Sequence, residues 1–192
     1  MSYTLYLQKT PPAGAEVPFP SLAKGNYPLS EVLINAFLNL MQLTGSLDTD
    51  AILDEKAFDK IWLKAEMTPA RIEEVGDYIY HKIPTSPEPV EEEIELFKQA
   101  MKEEEALLAQ ESKKEGNIPI HKFATNDGWI VTPKECEIIS ATLTAKLLED
   151  NHVFVEKIAK MSHLSHKTLE IALIDFGKFN QFAKKYGGYR VY

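Results

Sequence analysis

From residue 30 onward the apolar positions recur mostly at helical spacing, whereas residues 8–29 are broken by five prolines. "YTLYL" at 3–7 alternates loosely and is rich in Tyr and Leu, which predicts a short strand. The stretch after it holds Pro11, Pro12, Pro18, Pro20 and Pro28, so it can continue neither a helix nor a central strand. It reads as an irregular segment pinned by Phe19, Leu22 and Tyr27.

Ser30 is placed to cap a helix running to about Leu43, with Gly45 closing it. Val32, Leu33, Ile34, Phe37, Leu38, Leu40, Met41 and Leu43 surround most of that helix, the pattern of a buried, central element. A second helix is predicted over about 51–66, where Ile52, Leu53, Phe58, Ile61 and Trp62 fall near helical spacing. Thr68-Pro69 starts a third, since proline fits the first turn where its missing N–H is no loss, and Pro84 ends it. "PTSPEPVEEE" reads as a linker leading into an acidic helix over about 88–113. There Val90, Ile94, Phe97, Met101 and Leu108 form the stripe expected to turn inward, and Glu91 to Glu93 suit the positive helix N-terminus.

Asp127-Gly128, between "KFATN" and "WIVT", carries the signal of a two-residue hairpin loop, because the primed turns need positive φ. Such a loop would pair Asn126 with Trp129 and Ala124 with Val131. Thr132 with Glu135 three residues on is the capping-box pattern, with Pro133 in the first turn. Cys136, Ile139, Leu143 and Leu147 form the next helix's inward stripe. Further helices are expected from about 152 and over about 166–186, the last filled by Leu169, Leu173, Phe176, Phe179 and Phe182 and stopped by "YGG". The final "YRVY" reads as a strand that pairs with "YTLYL" or with the hairpin. The expected fold class is α+β: predominantly helical, with a small antiparallel sheet from a hairpin near 120–132 and the terminal strands. The 192 residues suffice for one domain, with a possible subdivision into 1–87 and 88–192.

Charge sharpens this picture. The chain carries a net −8, which argues against a nucleic-acid binder needing a basic footprint. Residues 88–115 hold ten Glu and four Lys, a net of −6, whereas residues 151–192 carry a net of +4. Solvated helix faces account for such a distribution. The sharper reading is an acidic surface built around Glu91, Glu92, Glu95, Glu103 and Glu104 that docks a basic protein partner. The densest apolar run, 32–43, is too short and too polar to span a bilayer, and the N-terminus lacks the features of a secretory signal. With Cys136 as the single cysteine, no intrachain disulfide can form, and a cytoplasmic location is expected.

Candidate chemistry is sparse. His163 and His166, three apart, would share a face on one helix, with His152 eleven residues earlier, but no third metal ligand stands at a diagnostic spacing. Cys136 lies in a first helical turn, where a thiol is activated, yet also on an apolar stripe, where it is inert. Asp127 is explained by its turn, and no Gly-rich phosphate loop is present. No catalytic residue, metal or cofactor is therefore assigned. A small-molecule pocket where the hairpin meets the C-terminal strand remains the alternative, lined by Asn126, Asp127, Trp129, Tyr189 and Arg190.

"NDGWIVTPKEC" at 126–136 and "GGYRVY" at 187–192 together resemble a group of small uncharacterised bacterial proteins. That group shares an Asn-Asp-Gly-Trp-x-Val-Thr-Pro-x-Glu-Cys motif and a Gly-Gly-aromatic-Arg-Val-aromatic tail. Asn126, Asp127, Gly128, Trp129, Val131, Thr132, Pro133, Glu135 and Cys136 fit the first motif, and Gly187 to Tyr192 fit the tail. The group has no established activity, so the resemblance implies a bacterial or phage origin rather than a chemistry. The functional expectation is a non-catalytic interaction protein, for instance an immunity-type or conflict-system protein that blocks a basic partner.

Overall fold

The computed structural model describes residues 2–51, 56–125 and 127–192. The chain forms two compact units: Met1–Ile52 with Glu111–Tyr192, and the intervening Leu53–Gln110. The predominantly helical α+β class holds, with the terminal strands paired in a small antiparallel sheet.

The first unit contains β1 (Ser2–Leu7), β2 (Asn26–Ser30), α1 (Glu31–Leu43), β3 (Leu47–Asp48) and β4 (Ile118–Pro119). It continues with β5 (Trp129–Val131), α5 (Pro133–Thr142), α6 (Ala145–Asp150), α7 (His152–Met161), α8 (His166–Ala183) and β6 (Tyr189–Val191). Four strands run in the order β2-β1-β6-β5, every neighbour antiparallel, and β3 pairs with β4 in parallel. The C-terminal "YRV" is thus a central strand that pairs with both β1 and β5.

Two expectations are corrected here. The Pro-rich segment does contain a strand, β2, with Pro28 inside it opposite Thr4. Leu7 N–H donates to Gly25 O on the β2 side, while Thr4 N–H donates to Tyr192 O on the other side. Position 28 therefore owes β1 no hydrogen bond, and an edge strand tolerates proline where its missing N–H faces outward. Second, the described residues of 120–132 form no hairpin. Residues Ile120–Phe123 wind into a 3-10 turn and Ala124 is right-handed helical (φ −79°, ψ −27°), so neither can extend alongside β5. The winding buries Lys122 and Phe123, and β5 takes β6 as its partner instead.

The caps follow the local chemistry. Ser30, Thr132, Thr144 and Ser165 each accept a backbone N–H from three residues on. At α5 the full capping box is present, with Glu135 Oε2 accepting Thr132 N–H at 2.8 Å. Thr144 begins α6, so Leu148 rather than Leu147 is the buried leucine there. The core gathers α1, α5, α7 and α8 with one sheet face. Tyr27 stacks on Phe179 with ring centres 4.5 Å apart and tilts against Phe19 at 5.4 Å.

The second unit contains α2 (Lys56–Lys64), α3 (Pro69–His81) and α4 (Glu91–Leu108). Its core is small: Ala65, Met67, Val75, Phe97 and Ala100, with Ile61, Trp62, Ile72 and Ile79 packed against it. Thr68-Pro69 starts α3 as expected, and the Thr68 hydroxyl accepts Arg71 N–H. The α4 stripe is narrower than its spacing suggests. Phe97 and Leu108 are buried, but Val90 and Met101 are exposed, and Ala100 is buried beside Phe97 instead. The part of the second predicted helix at 52–55 lies outside the described residues. Among the described residues no helix is long and apolar enough to cross a membrane.

Candidate interaction surface

The electrostatics of the chain divide along the same boundary as its cores. Residues 53–110 hold fifteen Asp/Glu and seven Lys/Arg, a net of −8, which equals the net charge of the whole chain. The remaining residues balance at fourteen of each sign. The negative charge is therefore a property of the three-helix unit.

Within that unit, partner helices take up some carboxylates. Arg71 of α3 grips Glu93 of α4 with two parallel hydrogen bonds, Nε to Oε1 at 2.5 Å and Nη2 to Oε2 at 2.6 Å. Its Nη1 reaches Glu74 at 3.0 Å and Pro87 O at 2.9 Å. This pairing holds the Glu93 carboxyl below its ordinary range, and the matching hydrogen bonds raise the guanidinium. Glu104 accepts the Trp62 indole N–H at 3.1 Å, and Glu103 accepts from Lys64 at 3.0 Å and Gln99 at 3.0 Å. Those hydrogen bonds lower the Glu103 pKa, the Lys64 bond most.

Of the five glutamates expected on the acidic surface, Glu91, Glu92 and Glu95 are exposed, and Lys98 bonds Glu95 at 2.9 Å. Glu103 and Glu104 are half-buried and already engaged within the unit. Of these five, the outward-facing ones therefore lie in the N-terminal half of α4. Beside them, α2 and α4 leave a groove lined by Ile61, Ala65, Leu96 and Ala100, with Lys64, Gln99 and Glu103 at its edges.

The residues of the alternative pocket sit differently. Asn126 lies outside the described residues, and Asp127 is exposed in its turn. Trp129 and Tyr189 are closed to solvent, at 2% and 0% exposure. The Trp129 indole N–H donates to Thr125 Oγ1 at 3.0 Å, and its ring meets His121 edge-on at 4.7 Å. Registers Val131↔Tyr189 and Ile130↔Arg190 put Trp129 and Tyr189 on one sheet face and Arg190 on the other. The half-buried Arg190 guanidinium bonds Gly128 O at 3.4 Å. The strands bring these side chains close in sequence register without converging them on one concave surface.

Behind them stands a polar cluster that the sequence reading did not anticipate. Lys122 Nζ, fully buried, donates to Ile130 O and to Glu135 Oε2, both at 2.7 Å. The capping-box glutamate is thereby also one half of a buried ion pair. Burial pushes the Glu135 carboxyl up and the Lys122 ammonium down, each opposed by the charge of the other. A lysine two residues before an Ala-Thr turn carries no pattern that announces burial. Cys136 is buried on the inward stripe, and burial raises its thiol far above the reactive range. His163 sits at φ +54° before the Ser165 cap and His166 opens α8, so the two do not share a helical face. Among the described residues no three His, Cys, Asp or Glu gather as a metal site would require.

No family model, curated protein or solved structure matches this chain.

Proposed function

We propose that this chain is a non-catalytic interaction protein whose three-helix unit docks a basic protein partner. The observation that carries this reading is the confinement of the entire net −8 to residues 53–110, with Glu91, Glu92 and Glu95 facing solvent. A surface of this kind speeds encounter with a positive patch and disfavours acidic competitors. An immunity-type or conflict-system protein, which silences a basic toxin or enzyme by covering it, is the concrete form. The bacterial or phage setting implied by the 126–136 and 187–192 motifs suits that role.

The test compares wild type with a Glu91→Lys/Glu92→Lys/Glu95→Lys variant as bait in extract of the source organism, at about 50 mM and about 500 mM salt. A basic protein held by wild type at low salt, released at high salt and lost from the variant is the expected result. A partner held equally by both baits, or indifferent to salt, overturns acidic-surface docking.

A further inference from the structure

We infer that the groove between α2 and α4 seats one aliphatic side chain projecting from a basic helical segment of the partner. The inference rests on reading the three-helix unit as the docking surface, and narrows that surface to one place and one chemistry. The floor is apolar (Ile61, Ala65, Leu96 and Ala100), and Leu96 is 38% exposed among carboxylates. On α4, Glu92 and Glu95 stand four and one residues before Leu96, and Glu92, Glu95, Leu96, Gln99 and Glu103 follow helical i, i+3, i+4 spacing along one face. An apolar strip therefore runs beside exposed carboxylates.

Lys64, at the edge, is held by Glu103 at 3.0 Å, so its charge is already answered when a cationic partner arrives. The open space is small, about 40 Å³, which favours a single aliphatic anchor. A furrow walled by two helices accepts an amphipathic helix, whose anchor enters the furrow while flanking Lys or Arg meet the acidic rim. The net −8 of the unit selects a basic segment over a neutral or acidic one.

Two synthetic probes test this against the full chain: a Lys/Ala helical peptide of about 15 residues with one central Leu, and its Leu→Ala twin. Fluorescence anisotropy at low and high salt is the readout. The Leu peptide is expected to bind wild type about tenfold tighter than its twin. Leu96→Glu adds negative charge yet is expected to bring the Leu peptide down to the affinity of the twin. Gln99→Trp, which crowds the groove at unchanged charge, should do the same, with the urea midpoint of each variant confirming its fold. Equal, salt-sensitive binding of both peptides, or tighter binding of both to Leu96→Glu, overturns the groove and leaves the acidic-surface reading standing. No binding of either peptide to wild type at low salt overturns both.

Discussion

Lys122 and Glu135 meet at 2.7 Å with both side chains closed to solvent, and the same Glu135 oxygen caps α5. Two charges taken out of water recover the loss only through each other and through Ile130 O and Thr132 N–H. Removing one partner strands the other. Lys122→Met is expected to cost about 3–5 kcal/mol in urea unfolding. Glu135→Gln keeps an acceptor for Thr132 N–H but leaves the ammonium unanswered, so it too destabilises. The double variant Lys122→Met/Glu135→Gln should recover most of the loss. Additive losses in the double variant would show that the two groups do not stabilise each other.

Gly188 supplies a second test. Its φ is +87°, and a Cβ there would sit 2.0 Å from Val131 O, a backbone atom of the neighbouring strand β5. Gly14 has a similar φ of +81° and nothing within 4 Å. Gly14→Ala therefore meets the left-handed penalty alone, about 1 kcal/mol. Gly188→Ala adds the clash and is expected to cost about 3 kcal/mol or more by thermal or urea unfolding. Equal losses at the two positions would mean that β5 and β6 part easily at this point.

What the sequence made legible follows the range of the interactions involved. Ser30 and Thr132 cap their helices through atoms three residues away, and a cap of that range is legible in the sequence. Asp127-Gly128 carries the local signal of a hairpin. The partner of β5 is instead β6, some sixty residues further on, and no local pattern encodes it. Pro28 misled for the same reason: whether a strand tolerates proline depends on which neighbour lies on that side. On α4 the acidic character was plain. The division between outward Glu91, Glu92 and Glu95 and inward Glu93, Glu103 and Glu104 is set by Arg71, Lys64 and Trp62 on other helices. Lys122 was unreadable as a core residue, since only its distant acceptors make its burial tolerable.

Asp48 makes acid stability testable. Its carboxylate accepts from Ser112 Oγ at 2.5 Å, from Lys114 at 3.0 Å and from Asp50 N–H at 3.2 Å. These contacts, the Ser112 hydroxyl first, hold it below its ordinary 3.8. Glu111 is lowered likewise, chiefly by the Thr132 hydroxyl. A depressed folded pKa means stability that is present above the unfolded value and lost as pH falls through the folded one. Glu135 acts in the opposite sense: its raised pKa makes the folded state lose stability as pH climbs above its ordinary 4.5. Between about pH 5 and about pH 2, wild type is expected to lose more of its urea midpoint than Asp48→Asn, which has no carboxylate there to protonate. Parallel profiles would show that Asp48 contributes nothing to the acid transition.

Cys136 reports on opening of the larger unit. It is the only cysteine, fully buried on the inward stripe of α5, and burial raises its thiol so that little thiolate exists at neutral pH. A thiol reagent reaches it only after α5 separates from α8 and the sheet. For a domain of ordinary stability the open fraction is on the order of 10⁻³ or below. Labelling of native protein by an aromatic disulfide reagent is therefore expected to run at least about a thousandfold slower than in denaturant. The rate should rise in Lys122→Met by the factor that its stability falls, because labelling tracks the open population when reclosing is fast. Rapid labelling of the native chain, unchanged by Lys122→Met, would show that the α5 face opens locally without breaching the core.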